Sequence, residues 1–394
     1  MKHLAFLAIL IGAIVTEPPL VLGDGGMFFE EGQAASLAQT RQEVLLAIET
    51  AADGTTERVT YVLASRYTGS STPSGQDALA FAWVIPVPAT PTNVVAHDDE
   101  TLFDALSART TPTFEIMFGA GGGCACSLAT GMPGELVEVE ASGQAGIFEW
   151  SALTSTGGNA LLSWLNDNGF ALPAGSETVL DDYIQQDMQF LAVRVNDPAQ
   201  IQADATGETA IPPIQFTCET SQRFYPMAIS QISAASDTEV LIYVLADHRA
   251  EAANVANGTI DGSQLEYDPN SPSLTNYESL FTQQVAELGG TGLITEYVGS
   301  WSVGSEWPDA PAGMLGTSHE LTRMRTVIAR EDMTVDFTFQ DAPSDAPVDA
   351  FFMIRGSRAT PASLAAEPLA ALLLFGLFRT WLVRRNRAGR SGAS

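Results

Sequence analysis

Positive charge is what this sequence has least of. Its one lysine is Lys2, and its 394 residues include only four histidines and three cysteines. Residues 24–363 hold 12 arginines against 45 aspartates and glutamates, a net of 12 − 45 = −33. A body of that sign repels phosphate backbones, which argues against nucleic acid as a partner. Lysine chemistry is excluded once Lys2 is counted with the leader. Neither a G-x-S-x-G nucleophile turn nor a phosphate-cradling G-x-x-x-x-G-K is present. The acidity itself is read as solubility, since carboxylates hydrate well and keep molecules apart, and a saline habitat would be one reason for it. A cation-attracting surface is the functional alternative.

Two apolar runs stand outside the acidic body. "MKHLAFLAILIGAIV" puts Lys2 ahead of an apolar stretch from Leu4 to Val15, the size of a secretory leader and too short to span a bilayer comfortably. "VLG" at 21–23 places small residues at the cleavage position, giving a signal peptide over 1–23 and a mature start near Asp24. No cysteine follows, which excludes a lipoprotein anchor. At the other end, Leu364–Val383 is a 20-residue apolar segment, about 30 Å as a helix. Arg384, Arg385, Arg387 and Arg390 follow it with no acid after them, so residues 384–394 are expected in the cytoplasm and the body outside. The order of acid, proline, apolar helix and arginines is similar to bacterial C-terminal protein-sorting tails. Such a tail is either a lasting anchor or a signal that is removed.

Between the ends, composition predicts an α+β domain over 24–355, mostly antiparallel strands with short covering helices, followed by a linker at 356–363. Strands are expected at 43–49, 58–67, 78–87, 135–141, 188–196, 214–219 and 239–246, where Val, Ile, Phe and Tyr lie between Gly, Pro, Asn and Asp. Helices are expected from Thr101, capped there with Asp104 three residues on, from Asn159 as a cap, over 176–187, and through "LTNYESLFTQQVAELGG". "FAWVIPV" is apolar on both faces, so its strand should be covered on both. Pro86, Pro88 and Pro91 should then end its pairing. "VTYVLASRYTG" at 59–69 echoes "LIYVLADHRAE" at 241–251, which reads as common buried-strand composition or as two related sheet halves.

Ordered segments across residues 40–340 carry a family resemblance. They are "FAWVIPVPATP" with "LFDALSARTTPTF", "LLSWLNDNGFALP" with "LDDYIQQDMQFLAVRVN", "IPPIQFTCETSQRFYPMAIS" with "VLIYVLADHR", and "LTRMRTVIAREDMTVDFTF". With these the chain resembles a bacterial domain of unknown function (DUF), the family numbered 2330. The resemblance implies an exported, sheet-rich domain, often with a membrane tail, and brings no agreed activity. Members often carry cysteines just after the leader. Here "GDGGMFFEEGQAA" has none, so no disulfide or metal is expected at that end.

The remaining chemistry rests on few residues. Cys124, Cys126 and Cys218 are disulfide candidates in an oxidising compartment, with unpaired thiols or a metal as alternatives. A bridge between Cys124 and Cys126 would close a tight, reducible ring. "AHDDET" at 96–101 resembles a ligand cluster but reads first as a helix cap through Asp98 or Asp99. "HELTR" at 319–323 begins like a zinc-protease motif and has Arg323 where the second histidine belongs. Arg323 and Arg325 share a strand face and are candidates for an anion site or for ion pairs with nearby acids. No cofactor is expected, with calcium at "DGSQLEYDPN" (261–270) left open, since the oxygens are there and the EF-hand spacing is not. The leading expectation is a non-catalytic, extracytoplasmic, membrane-tethered domain that binds or scaffolds an unidentified envelope partner. The alternatives are an envelope hydrolase working through paired carboxylates, a thiol redox protein using Cys124 and Cys126, and a calcium-stabilised structural protein.

Overall fold

The computed structural model describes residues 26–29, 37–50, 56–69, 81–98, 100–116, 142–168, 172, 175–196, 201, 208–232, 234 and 237–354. At its centre is an eight-stranded sheet. In order across the sheet its strands are β14 (Asn257–Gly258), β15 (Leu293–Ser302), β16 (Ser318–Ile328), β12 (Thr238–Ala246), β2 (Leu37–Thr50), β3 (Glu57–Gly69), β10 (Glu208–Glu219) and β5 (Thr92–Ala96). Only β12 with β2 and β14 with β15 run parallel; the other neighbours are antiparallel. A second, antiparallel sheet has the order β1 (Gly26–Phe29), β4 (Phe81–Val87), β9 (Gln189–Val195), β8 (Phe148–Leu153), β7 (Ser142–Ala145). Two small sheets complete the described strands. One is β11 (Phe224–Tyr225), β17 (Phe337–Asp341) and β13 (Ala250–Ala252); the other is the parallel pair β6 (Thr113–Ile116) and β18 (Phe351–Ile354). The α-helices among the described residues are α1 (Thr101–Thr110), α2 (Gly158–Asp167), α3 (Ser176–Gln185) and α4 (Tyr277–Glu287). The fold is α+β.

Period-two alternation in the long strands explains the layering. One face of the large sheet sends Val44, Leu46, Tyr61, Leu63, Ile242 and Val244 against Trp83, Ile85 and Val193 of the second sheet, forming the main core. Its opposite face sends Leu45, Ala47, Val62 and Tyr243 against Leu102, Phe103 and Leu106 of α1, and Ile294 against Phe281 and Val285 of α4. The second sheet turns Val84, Phe190 and Ala192 toward Leu161 and Leu165 of α2 and Leu180 and Tyr183 of α3. The order of layers is helix, sheet, sheet, helix. Each fully buried Val, Leu, Ile or Phe contributes about 1.5–3 kcal/mol relative to exposure.

The expectation that residues 81–87 are covered on both faces holds, because Trp83 and Ile85 lie in the core between the sheets while Val84 packs under α2 and α3. The expectation that Pro86 ends the pairing does not: it pairs with Phe190, and the strand runs on to Val87. The partnership with β1 stops at Val84, which leaves one edge of β4 without a described neighbour from Ile85 onward, where a residue lacking an N–H is tolerated. Helix α1 has Glu100, not Thr101, at its N-cap, and α2 has Gly157, not Asn159; neither cap makes a side-chain hydrogen bond. The α2 start is held from a neighbouring helix instead, where Gly158 N–H donates to Asp181 Oδ1 of α3. The echoed strands β3 and β12 flank β2, with Tyr61 facing the main core and Tyr243 facing α1. The strand expected at 135–141 lies outside the described residues.

Candidate functional site

Arginine and glutamate side chains gather on the α1/α4 face of the large sheet. In the strand register Tyr243 lies opposite Arg323 and Leu241 opposite Arg325, so both arginines of β16 point to that face, as their spacing predicts. On the far side of β12, Glu239 lies opposite Arg41 of β2. On β15 the register slips between Thr295 and Tyr297, and the extra residue is Glu296. The bulge delivers its carboxylate between the two arginines, 2.9 Å from Arg323 Nε and 3.4 Å from Arg325 Nη1. Tyr277, the first residue of α4, donates its hydroxyl to Glu296 Oε1 at 2.7 Å.

Each guanidinium here has a carboxylate partner. Arg325 meets Glu239 at 2.6 Å and Glu278 of α4 at 2.9 Å, and it stacks 4.1 Å from the Phe281 ring centroid. Arg41 meets Glu239 at 2.6 Å. Arg66 meets Glu43 at 3.4 Å and Glu100 at 2.5 Å. Arg323 adds a 2.7 Å hydrogen bond to Thr111 Oγ1 at the end of α1. Arg323 Nε and Glu296 Oε2 face each other at ion-pair distance but without an aligned hydrogen bond, so their attraction is Coulombic.

Burial and ion pairing oppose each other in the protonation balance. Burial pushes the Glu43 carboxyl above the usual carboxylate range, against the pull of Arg41 and Arg66. At Glu239 burial acts the same way, but Arg325 and Arg41 outweigh it and hold the carboxyl below that range. Burial opposes the charge on Arg325, and hydrogen bonding to Glu278 with the fields of Glu239 and Glu296 overcomes it. An anion arriving at Arg323 or Arg325 would have to displace a carboxylate already in place. The Glu296 side chain has 0% exposure and Arg323 6%. A cavity of about 230 Å³ borders the cluster, lined by Thr259, Ile260, Tyr277, Asp349 and Phe352, among others. Glu296 contributes to it, yet its small residual exposure belongs to the main chain, since its side chain has none.

Other residues singled out in the sequence fall elsewhere. Cys218 is a free, fully buried thiol on β10 that donates to Ala89 O at 3.4 Å, and burial pushes its pKa up to about 12. Cys124 and Cys126 lie outside the described residues. His97 meets Gln215 Oε1 at 3.1 Å, the same oxygen that accepts Trp307 Nε1–H at 2.8 Å. His319 lies on a strand, not a helix, with Nε2 2.6 Å from Thr317 Oγ1. In the 261–270 stretch, Asp261 caps a short 3-10 turn by accepting from Ser263 N–H, and Asp268 accepts from Asn270 N–H. Among the described residues, no group of three or more His, Cys, Asp or Glu is placed to hold a metal ion.

The glutamates of the cluster carried no local signal. Glu239, Glu278 and Glu296 lie in three different elements, and only the sheet order, the packing of α4 and the β15 bulge bring them to the two arginines.

These features define a class: an α+β protein built on a large mixed sheet whose buried and part-buried arginines are neutralised from within. A family model described as "Uncharacterized protein conserved in bacteria (DUF2330)" matches residues 35–340, and the chain belongs to that family. No curated protein and no solved structure matches it.

Proposed function

We propose that this protein is an exported, membrane-anchored envelope protein whose domain binds or scaffolds a partner and does not catalyse a reaction. The observation that carries the reading is positional. The family match, 35–340, lies wholly between the apolar leader ending at residue 23 and the apolar, arginine-flanked segment at 364–383, which resembles a sorting tail. Among the described residues no helix is long and apolar enough to cross a membrane, and 364–383 lies outside them.

Two observations bear on the chemistry. The best-charged site buries its central carboxylate, Glu296, out of reach of a substrate, whereas carboxylate catalysis needs a group that touches the reacting atoms. The Cys218 thiol, at a pKa of about 12 and without exposure, is unsuited to thiol exchange, which runs through an accessible thiolate, so a redox role would rest on Cys124 and Cys126, which lie outside the described residues. A reporter fused after residue 340 tests the topology. Activity from alkaline phosphatase, which needs an oxidising compartment, is the expected result. Activity from a cytosolic reporter at the same position overturns it. The mass of the mature C-terminus then tells a retained tail from a cleaved one.

A further inference from the structure

Strand β18 is the last described element before the apolar segment, and its two faces differ. Phe352 and Ile354 turn inward, Phe352 stacking 5.8 Å from Phe114 and Ile354 joining the core under α4. Phe351 and Met353 turn outward, 49% and 68% exposed, beside Thr113 and Glu115 of β6. They are the two most exposed large apolar side chains among the described residues.

Chain length limits how far this face can stand from a bilayer. This step rests on the anchored reading proposed above. Only residues 355–363 separate β18 from Leu364, where the apolar run begins. Nine residues reach about 30 Å when fully extended, and about 17 Å as a relaxed flexible chain. The headgroup layer takes about 5–7 Å of that reach. Arg355 and Arg358 fall in the same short stretch, the only cations of the body after Arg330, where they can meet lipid phosphates. The rest of the body is acidic and gains nothing electrostatically from an anionic surface, so an apolar contact close to the tether is the one the chain can make.

We infer that the outward face of β18, through Phe351 and Met353, rests on the lipid surface from which the chain is tethered. The lipid holds the domain in one orientation and keeps two apolar side chains out of water.

Photo-crosslinking of the full chain in phosphatidylcholine vesicles tests this. Benzoylphenylalanine replaces one residue at a time: Phe351, Met353, Leu373 in the apolar segment, or Ser163 on α2, which covers the second sheet on the far side of the sandwich. Lipid adducts are expected at 351, 353 and 373, with yields at 351 and 353 several-fold above that at 163. Lipid at 373 with none at 351 and 353, or with yields there no higher than at 163, overturns the inference and leaves the anchor standing. Adducts from 351 and 353 to residues 117–141, or to another protein chain, overturn it by showing that protein covers the face. Failure at 373 as well removes the anchor and the inference with it.

Discussion

Glu239 bridges two arginines from different strands: its Oε2 lies 2.6 Å from Arg41 Nε and its Oε1 lies 2.6 Å from Arg325 Nε. Arg41 belongs to β2 and Arg325 to β16, and the strand between them is the one that carries Glu239. One carboxylate therefore spans three strands at the middle of the sheet, including its internal parallel pairing.

Glu239→Gln removes that charge and leaves Arg325 with less compensation in a mostly buried position. The expected loss is on the order of 3 kcal/mol, read as a lower midpoint in urea unfolding. A loss under about 1 kcal/mol would mean that water screens the bridge as it screens surface pairs. The carboxyl is held below its ordinary value of 4.5, so its contribution is complete above that pH and fades as pH falls through the folded pKa. The gap between wild type and variant should narrow in acid.

Asp336 gives the opposite sign. Burial pushes its carboxyl above the ordinary 3.8, although it accepts from Tyr183 Oη–H at 2.6 Å and Ala228 N–H at 2.8 Å. A carboxyl that prefers to stay protonated in the folded state costs stability as pH rises from its unfolded value through its folded one. Asp336→Asn keeps an acceptor for both donors and removes the charge. It should match wild type near pH 4 and be more stable at pH 7. A variant less stable than wild type at pH 7 would show that the ionised form is the one the site is built for.

Much of this was legible in advance, and the reason is local. Residues 43–49, 58–67 and 239–246 are dense in β-branched and aromatic side chains because both faces of those strands are covered, and the four described α-helices each bury a one-sided apolar stripe. Strand β15 escaped that reading, and β16 was read only through the strand face that Arg323 and Arg325 share. "LITEYVGSWS" is broken by Glu296 and a bulge, and "SHELTRMRTVI" puts two arginines where an apolar alternation would show. Their charges make sense only beside Glu239 and Glu278, 86 and 47 residues from Arg325. The helix starts misled for a related reason: Thr101 and Asn159 have capping chemistry, but Gly158 instead donates to Asp181, 23 residues on.

Cys218 should be silent in the native protein. With its thiol buried and its pKa raised to about 12, iodoacetamide at pH 8 should leave the peptide carrying Cys218 unmodified, and modification should appear together with global unfolding in denaturant. Peptide-level mass spectrometry distinguishes it from Cys124 and Cys126. Ready labelling without denaturant would mean that β10 opens locally.

Gly158 lies at a close approach of α2 to α3. A Cβ built there would come 2.3 Å from the backbone oxygen of Glu177 and 3.0 Å from the Asp181 carboxyl. Gly158→Ala should therefore cost about 1–3 kcal/mol through forced separation of the helices, despite alanine's better helix propensity. Gly175, at φ +96° with open space around it, is a control of another kind, since substitution there strains the backbone and touches nothing.

The parallel pairing of β2 with β12 also sets an order of assembly. Its contacts join residues about two hundred positions apart, such as Arg41 and Glu239, and β16 adds a further stretch before β12 has both neighbours. Contacts of such long sequence separation form late, because the loop between them must close first. A nascent chain that has emerged only as far as β10 presents β2 with one edge bare, a ready template for joining another molecule. Truncations that stop before Thr238 should aggregate, whereas one that reaches Ile328 has every strand that seals that edge.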